Sequence, residues 1–229
     1  MTPARLSVVM PVLNEAAGMD AALQALAPLV ARGAQIIVAD GGSTDGTVSR
    51  ALACGVPVEV AHAPRGRALQ MNAGAKQATG DLLLFLHADT LLPLNADQLV
   101  RQALDAGPQV WGRFDVRIEG RPGMLRVIAA MMNLRSRCSG IVTGDQALFM
   151  TRAAFDHVGG FADQPLMEDI AMSTRLLKLS RPACLHERVA TSGRRWETHG
   201  VWRTVLLMWR LRLAYWRGAA PEQLAQRYR

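Results

Sequence analysis

A carboxylate stands at the end of an apolar run near residue 90. The five apolar residues from Leu82 to Leu86 lead directly into His87, Ala88 and Asp89. Such a run is typical of a fully buried strand. Burying an unpaired carboxylate is costly, so a folded protein normally gives it hydrogen-bond donors, a cation or a metal. Asp89 is therefore predicted to be a functional carboxylate with a partner of this kind.

Two earlier apolar runs end in a similar way. Residues 6–12 lead to Asn14 and Glu15, and residues 35–40 end on Asp40. In open α/β sheets, ligands bind beyond the carboxyl ends of the strands. One edge of the sheet is therefore expected to collect several carboxylates, and like charges so close together need a cation between them.

Strand and helix patterns alternate along the same part of the chain. This alternation predicts βαβ units and an α/β fold, with a mainly parallel sheet covered by helices on both faces. The predicted strands are 6–12, 35–40, 57–61 and 81–87; the predicted helices are one carrying Met19, Leu23, Leu26 and Val30, then 47–54 and 67–78.

The segment GGSTDG at 41–46 is rich in glycine, which permits tight turns and close approach of the backbone to a ligand. It lacks the spacing of a dinucleotide-binding fingerprint, and no G-K-[ST] follows that would make it a P-loop. The alternative is a helix-capping loop in which Ser43, Thr44 or Asp45 accepts hydrogen bonds from free N–H groups.

Composition limits the possible classes. With 229 residues, half of them hydrophobic, the chain can form one domain with a helical tail. The chain has three widely spaced cysteines, no signal-peptide pattern and no apolar stretch long enough to span a membrane. These features predict a cytoplasmic protein that is soluble or peripherally attached to a membrane.

The net charge of +7 is concentrated at one end. Residues 1–180 hold 16 Lys and Arg against 16 Asp and Glu, whereas residues 181–229 hold ten arginines and three glutamates. Such a basic region could face nucleic acid, anionic lipid or a phosphorylated substrate, or simply be solvated. No nucleic-acid recognition motif is visible, so nucleic acid is not expected as a partner.

Eight short motifs stand in a recognisable order. They are PVLNE (11–15), DGGSTDGT (40–47), RGRALQMNAGA (65–75), FLHADT (85–90), GDQALFMTR (144–152), GGF (159–161), ED (168–169) and RRW (194–196). Together they resemble the family 2 glycosyltransferases of the GT-A fold over about residues 6–200. The nearest resemblance is to a subgroup of short bacterial enzymes linked to arsenosugar biosynthesis.

The resemblance implies an activity and a donor site. Family 2 enzymes bind a nucleotide-diphosphate sugar, usually a UDP or GDP sugar, and transfer the sugar to an acceptor hydroxyl with a divalent metal, inverting the anomeric centre. Glu15 would lie near the nucleoside and Asp40 would contact the base or ribose. The residues implied on the nucleotide-sugar side are Pro11, Asn14, Glu15, Asp40, Gly42, Ser43, Asp45, Arg65, Arg67, Asn72, Gly74 and Ala88.

The resemblance also implies that Asp89 coordinates Mg²⁺ or Mn²⁺, ions that prefer oxygen ligands. The family motif is commonly D-x-D, and here His87 replaces the first acid. A histidine hydrogen-bonded to the backbone is favoured over one that binds the metal. His199 is a further candidate ligand, because some relatives use a late histidine.

An inverting transfer needs a general base for the acceptor hydroxyl. By family precedent this is Asp169, with Glu168 beside it at the start of a predicted helix. The helix N-terminus is expected to favour the charged carboxylate at some loss of basicity. The alternative is that both acids only cap the helix.

Other residues are implied on the acceptor and phosphate sides of the cleft. Asp145 could orient the sugar or the acceptor, and Arg194 and Arg195, followed by Trp196, could contact the diphosphate. The glutamine that processive relatives carry shortly before the arginine and tryptophan is absent here, which argues against a polysaccharide synthase. The acceptor is expected to be a small molecule or a lipid-linked one.

The tail at 201–229 is predicted to be a basic amphipathic helical segment, separate from a catalytic domain at 1–200. Trp202, Trp209 and Trp216 recur every seven residues, each followed by an arginine. Interfacial helices have this composition, so an anionic membrane surface is one interpretation. The other, slightly preferred, is that the tryptophans pack on the catalytic domain while the arginines face water.

Two other functional classes remain as alternatives. A nucleotidylyltransferase could use a similar sheet and metal, but its glycine-rich basic N-terminal loop is missing between Met10 and Asp20. A non-catalytic basic binding protein would explain the tail, but it would not need carboxylates gathered at strand ends.

Overall fold

The computed structural model describes residues 4–228 and contains one eight-stranded sheet surrounded by helices. The strands are ordered β3-β2-β1-β4-β7-β6-β8-β5. The first predicted domain begins at Met1 and the second ends at Arg229; residues 1–3 and Arg229 lie outside the described residues. The strands are β1 (Leu6–Val12), β2 (Gln35–Asp40), β3 (Glu59–His62), β4 (Leu82–Phe85), β5 (Thr90–Leu91), β6 (Trp111–Glu119), β7 (Phe149–Thr151) and β8 (Ala183–Ser192).

Helices connect most of these strands. They are α1 (Ala16–Gln24), α2 (Ala27–Ala31), α3 (Thr47–Ala53), α4 (Arg67–Gln77), α5 (Ala96–Asp105), α6 (Met124–Ser139), α7 (Arg152–His157), α8 (Glu168–Leu176), α9 (Arg194–His199), α10 (Val201–Trp216) and α11 (Pro221–Tyr228), with a short 3₁₀ helix at Gly144–Gln146.

The four predicted strands all form, and they pair in parallel. β1 lies between β2 and β4, and β3 pairs with β2. The bounds of β1 and β2 agree with the prediction because both strands are buried on both faces, which leaves a continuous apolar run in the sequence. β3 begins two residues later than predicted, and β4 ends two residues before His87.

The single helix predicted up to Val30 is wrong. α1 ends at Gln24, and α2 begins at Ala27 with Pro28 in its first turn. Proline lacks an N–H, and its ring clashes with the carbonyl four residues earlier, which here belongs to Gln24. The apolar spacing continues across the break, so both helices still cover the same core.

Helices cover both faces of the sheet, as predicted. Val8 and Met10 of β1 belong to a core that packs against α1, α3, α5 and α6. Val9 lies on the opposite face, in a core that packs against α4, α7 and α8. This alternation follows from the two-residue period of a strand.

The second half of the sheet is mixed. β7 is antiparallel to both β4 and β6, whereas β6 and β8 are parallel with a register shift at Phe114/Asp115. Arg113 is fully buried beside this shift and pairs with Asp115, which also accepts a hydrogen bond from Arg137 at 2.9 Å. The mixed half begins after β4, beyond the part of the chain in which strands were predicted.

Gly74 lies in the middle of α4, where that helix crosses β1. A Cβ built at Gly74 would collide with the side chain of Val9. We expect Gly74→Ala to destabilise the protein by about 1–3 kcal/mol, the usual cost of overpacking a core. The comparison variant is Gly18→Ala in α1, whose Cβ would meet nothing within 4 Å.

Because alanine has the higher helix propensity, Gly18→Ala is expected to leave stability unchanged or raise it by up to about 1 kcal/mol. Urea denaturation followed by circular dichroism would measure both variants. A Gly74→Ala protein as stable as the wild type would show that α4 can shift away from β1.

The C-terminal helices form a small core of their own with the segment before α8. Leu211 of α10 and Leu224 of α11 pack with Met167. The preferred interpretation of the tail is wrong, because Trp202, Trp209 and Trp216 are mainly exposed rather than packed on the domain. Among the described helices, none is both long and apolar enough to cross a bilayer.

Candidate functional site

Three strand ends lie side by side at one edge of the sheet. Val12 is in register with Asp40, and the N–H of Gly41 donates to the carbonyl of Val12 at 3.0 Å. On the other side of β1, the N–H of Leu86 donates to the carbonyl of Val9, also at 3.0 Å. Asp40 and Asp89 therefore follow strands that end at the same edge, two strands apart.

The first two junctions are tied together by side chains. The N–H of Asn14 donates to Oγ of Ser43, and the N–H of Thr44 donates to Oδ1 of Asn14, both at 2.9 Å. Asn14 has φ of 56°, a left-handed conformation that asparagine tolerates better than most residues. These contacts hold the loops after β1 and β2 in one arrangement.

Asp45 and Asp40 accept hydrogen bonds from backbone N–H groups in and beside the loops after β1 and β2. Asp45 accepts the N–H of Ala16 at the start of α1 and the N–H of Thr47 at the start of α3, both at 3.0 Å. The side-chain hydrogen bond from Thr47 lowers the pKa of Asp45 below its ordinary value. Asp40 is buried and accepts the N–H groups of Gly42 and Ser43. The capping interpretation therefore describes Asp45, whereas Asp40 bonds the backbone of its own loop.

Glu15 follows β1, and the charges around it change its pKa. Burial raises its pKa above the ordinary value, and the charges of Asp89 and Asp45 raise it further. The cations Arg194 and Arg67 act in the opposite direction without cancelling the rise. The carboxylates of Asp89 and Asp45, which follow the other two strands, thus disfavour the charge of Glu15.

The main chain of Asp89 is fixed and its side chain is exposed. The carbonyl of Asp89 accepts the N–H of Ser192 at 3.1 Å, and the hydroxyl of the next residue, Thr90, bonds Thr191 at 3.0 Å. Among residues 4–228, the one donor to this carboxylate is the Thr90 hydroxyl, at 3.5 Å. The carboxylate is therefore free to bind a ligand.

Within residues 4–228, no three His, Cys, Asp or Glu side chains stand close enough together to hold a metal ion. His199 lies exposed at the end of α9 and belongs to no such group. This donor set still fits Mg²⁺, which commonly binds through one or two carboxylates, substrate phosphates and water. Asp89, with Glu15 nearby, meets that requirement.

His87 pairs with Asp145. Its Nδ1 lies 3.4 Å from Oδ1 of Asp145, and its ring packs on Gly144. The favoured prediction, that His87 is hydrogen-bonded to the backbone, is therefore wrong. Burial alone would raise the pKa of Asp145, but the hydrogen bond and charge of His87, with the charges of Arg67 and Arg195, hold it below its ordinary value.

Asp169 sits in the first turn of α8, as predicted. Its Oδ2 accepts the N–H of Gly144 at 3.0 Å and its Oδ1 accepts the N–H of Ile170 at 2.7 Å. The expected effect of the helix N-terminus on its basicity is wrong. Burial, together with the adjacent charge of Glu168, outweighs these donors and raises the pKa of Asp169 to about 6.

Arg67, the first residue of α4, lies beside Glu168, the first residue of α8. It is half-exposed, and its Nη1 lies 3.4 Å from Oε1 of the buried Glu168. Burial would lower its pKa, but the charges of Glu168, Tyr228, Asp145 and Asp169 raise it. The charge of Arg67 also acts to lower the pKa of Glu15.

Several residues implied in donor binding have structural contacts instead. Both polar atoms of the Asn72 amide bond the backbone of Phe161 at 2.9 Å, and Gly74 packs against β1. Trp196 is half-buried against the core that includes Leu125. Of the others, Arg65, Arg194 and Gly42 are exposed, whereas Pro11, Ala88 and Arg195 are half-buried.

Three residues near the site were not singled out in the sequence. Gln70 is buried and donates to the carbonyls of Val12 and Ala39, which closes the junction beneath the strand ends. Tyr228 stacks under Arg195 at 3.8 Å. Gln70 lies inside the motif at 65–75 and Tyr228 outside every motif, and the local sequence signals neither contact, because both contacts join distant parts of the chain.

The third residue is Arg135 of α6. Its Nε and Nη2 are buried and have no hydrogen-bond partner among residues 4–228. Burial lowers its pKa, which the charge of Asp169 partly restores. A buried guanidinium close to Asp169 and short of partners is a natural contact for an anionic ligand group.

Comparison with protein families gives one match. The model of the family described as "Glycosyl transferase family 2" matches residues 7–157, which contain the strand ends, Arg67, Asp89 and Asp145. The match covers more than half of the chain.

Curated relatives share a shorter region. Glucosyl-3-phosphoglycerate synthase of Mycobacterium tuberculosis is 37% identical over 98 residues, and the same enzyme of Mycobacterium bovis matches equally. The matched region is 38% of this chain and 30% of the relative. The chain therefore matches less than a third of the length of these relatives.

Solved structures agree over more of the chain. A mannosyltransferase of Pyrobaculum calidifontis, in complex with GDP-Man and Mn²⁺, superposes with a TM-score of 0.68 at 21% identity, over 100% of this chain and 70% of that one. Glucosyl-3-phosphoglycerate synthase of M. tuberculosis, with Mn²⁺, UDP and phosphoglyceric acid, gives 0.60 at 22% identity, over 82% and 69%. The fold is thus the GT-A glycosyltransferase fold.

Proposed function

The chain belongs to glycosyl transferase family 2, and from this we propose that it is an inverting, metal-dependent glycosyltransferase. It would move a sugar from a UDP- or GDP-linked donor to an acceptor hydroxyl. The carrying observation is a series of contacts: His87, just after β4, pairs with Asp145 at 3.4 Å, and the adjacent Gly144 donates its N–H to Asp169 at 3.0 Å. Donor-binding and acceptor-activating groups would then share one cleft.

The donor would lie across the loops after β1, β2 and β4. Asn14, Ser43 and Asp45 hold the first two of these loops together, with Glu15 in the first and Asp40 at the start of the second. Arg67 and Arg194 would contact the diphosphate, since guanidinium groups bind phosphate oxygens in pairs. Asn72, Gly74 and Trp196 would support the cleft without touching the donor.

Asp89, with Glu15 nearby, would hold Mg²⁺ or Mn²⁺ together with diphosphate oxygens. When bound, the ion neutralises the charge that develops on the departing nucleoside diphosphate. Two solved neighbours, one with GDP-Man and one with UDP, also contain Mn²⁺. His199 remains a prediction as a further ligand.

Asp169 would act as the general base. Its carboxylate takes the proton of the acceptor hydroxyl while that oxygen forms a bond to the anomeric carbon, from the face opposite the diphosphate. The bond between the anomeric carbon and the diphosphate breaks at the same time, and the nucleoside diphosphate leaves with its electron pair. A pKa of about 6 suits a base that works near neutral pH.

The acceptor side would be formed by Asp145 and Arg135. Arg135 favours an acceptor that carries an anionic group near its hydroxyl, whether a small molecule or a lipid-linked one. The mycobacterial synthase has been crystallised with UDP-Glc and glycerol 3-phosphate, an acceptor of this kind. Membership of the arsenosugar-associated subgroup, a cytoplasmic location, a bacterial source and the division at residue 200 remain sequence-based predictions.

The proposal is tested by incubating the purified chain with a panel of UDP and GDP sugars and Mn²⁺. We expect at least one donor to raise the melting temperature and to release its nucleoside diphosphate slowly in a metal-dependent reaction. If no nucleotide sugar or nucleotide stabilises the protein, the donor site does not exist. Nucleotidylyltransfer would instead appear as pyrophosphate formed from a nucleoside triphosphate and a sugar phosphate.

The pH dependence of transfer should follow Asp169. Because the base must be ionised and its pKa is raised to about 6, kcat/KM is expected to fall as the pH is lowered through about 6. In Glu168→Gln the acid limb should move to lower pH, since the charge of Glu168 is one cause of the raised pKa.

Glu187→Gln, which changes an exposed glutamate on β8, is the control and should leave the pH profile unchanged. Initial rates from pH 5 to 8 would measure all three proteins. An acid limb that stays in place in Glu168→Gln would assign the titration to another group.

A further inference from the structure

The outer side of α10 carries a continuous row of large apolar side chains. We call it the α10 stripe, and its members are between 45% and 83% exposed: Trp202, Leu206, Trp209, Leu213 and Trp216. At about 100° per residue, these five positions fall within an arc of roughly 80°. From Trp202 to Trp216 the stripe covers 15 residues of helix, a rise of about 21 Å.

The stripe points away from the protein. Thr204 and Leu211, on the opposite side of α10, are buried, and Leu211 packs with Met167 and Leu224. A surface helix of a soluble domain normally turns its most apolar arc toward the core. α10 instead has apolar residues on both sides and leaves the aromatic side uncovered.

Cations flank the stripe. Arg203, Arg210 and Arg217 are exposed and fall on one edge of it by helical spacing, and Arg212 falls on the other edge. No Asp or Glu occurs between Thr198 and Pro221. Among residues 4–228, none of these arginines forms an ion pair.

We propose that the α10 stripe is a docking surface for an anionic lipid bilayer. A helix lying in the plane of the interface buries an apolar arc about 5–10 Å below the head groups and keeps its arginines at the level of the lipid phosphates. Tryptophan prefers this depth because its ring is apolar and its N–H is polar. The stripe and its flanking arginines provide both parts of that contact.

The docked orientation would bring the membrane close to the cleft. The inner side of α10 packs on Leu166, Met167 and Ile170, the residues on either side of Glu168 and Asp169. The bilayer surface and these carboxylates would then be separated by little more than the width of one helix, about 10 Å. Docking itself does not depend on the proposed transferase activity.

Vesicle co-sedimentation of the purified chain tests the proposal. Phosphatidylcholine vesicles containing about one third phosphatidylglycerol should bind the protein, and pure phosphatidylcholine should bind it at least about tenfold more weakly. Raising the salt concentration should reduce this difference, because exposed charges are screened. Tryptophan emission should shift to shorter wavelength only with the anionic vesicles.

Three sets of variants locate the surface. Trp202→Ser, Trp209→Ser and Trp216→Ser combined should abolish binding. Arg203→Gln, Arg210→Gln and Arg217→Gln combined should remove the preference for anionic lipid, about a hundredfold at roughly 1 kcal/mol per arginine. The control combines Leu52→Ser with Leu94→Ser, two exposed leucines outside α10, and should bind like the wild type.

A competing surface is included as well. Met131 and Leu134 lie in an exposed apolar row on α6 that has no tryptophan. If Met131→Ser with Leu134→Ser weakens vesicle binding more than the tryptophan variant does, the α10 stripe is not the docking surface. The same conclusion follows if the wild type does not bind anionic vesicles. It also follows if light scattering shows a dimer that is lost only in the tryptophan variant. Circular dichroism and urea denaturation would show that each variant is folded.

Discussion

Replacing Asp169 with asparagine is expected to lower kcat by about 10²–10⁴-fold while leaving the affinity for the nucleotide-sugar donor close to that of the wild type. The range is the usual contribution of a positioned general base. Asparagine has nearly the same shape but cannot accept a proton at neutral pH. Donor binding should survive because no residue proposed to contact the donor is changed.

The two hydrogen bonds of Asp169 make a structural control necessary. Its oxygens accept the N–H groups of Gly144 and Ile170, and the amide of asparagine can accept only one of these. We therefore expect a loss of stability of about 1–3 kcal/mol in addition to the loss of activity. Asp163→Asn, an exposed carboxylate in the loop before α8, should change neither property.

Kinetics and binding separate a catalytic role from a structural one. Calorimetric titration with the donor and Mn²⁺ measures affinity, and single-turnover experiments measure transfer. If Asp169→Asn binds donor and transfers sugar at the wild-type rate, Asp169 is not the base. If it binds no donor, its main role is to hold Gly144 and the cleft together.

Local sequence was sufficient for the strands that carry the site. β1, β2 and β4 are buried on both faces, and burial of this kind requires a continuous apolar run that can be recognised in one window. Polar residues directly after such runs must lie at the carboxyl edge of a parallel sheet. That Asp40 and Asp89 lie at the same edge follows from these two facts, whereas the strand order, which places β1 between their strands, does not.

The partners of the site residues could not be predicted in this way. His87 and Asp145 are 58 positions apart, and Arg67 and Glu168 are 101 apart. Nothing in the local sequence of either partner specifies such a contact, which depends on how α4, α8 and the 3₁₀ helix pack. The raised pKa of Asp169 was missed for the same reason, since it comes from burial and from a neighbouring charge.

The tail shows a different limit. The seven-residue spacing of Trp202, Trp209 and Trp216 correctly places them on one side of a helix. However, Leu207, Leu211 and Ala214 form a second apolar side, so composition does not decide which side faces the protein. That choice depends on the shape of the surface around Met167.

Replacing Asp89 with alanine is expected to lower kcat/KM by at least about 10²–10³-fold and to abolish the dependence of donor binding on Mn²⁺. The estimate follows from the usual effect of removing one group that stabilises developing negative charge. Asp89 is exposed, and its backbone contacts with Ser192 do not involve its side chain, so the variant should fold normally. A change in stability of less than about 0.5 kcal/mol is expected, as for most surface substitutions.

The Asp89 variant should differ from Asp169→Asn in one measurable respect. In Asp89→Ala, the donor affinities measured with and without Mn²⁺ should become equal, whereas Asp169→Asn should keep the metal-dependent difference. Asp105→Ala, which removes an exposed carboxylate at the end of α5, should behave as the wild type in both measurements. Retention of metal-dependent donor binding in Asp89→Ala would place the ion elsewhere, and Glu15 would then be the carboxylate to replace next. Loss of metal-dependent donor binding in both variants would mean that the donor site and the base depend on each other. The charge of Arg67 acts on both Glu15 and Asp169 and could couple them.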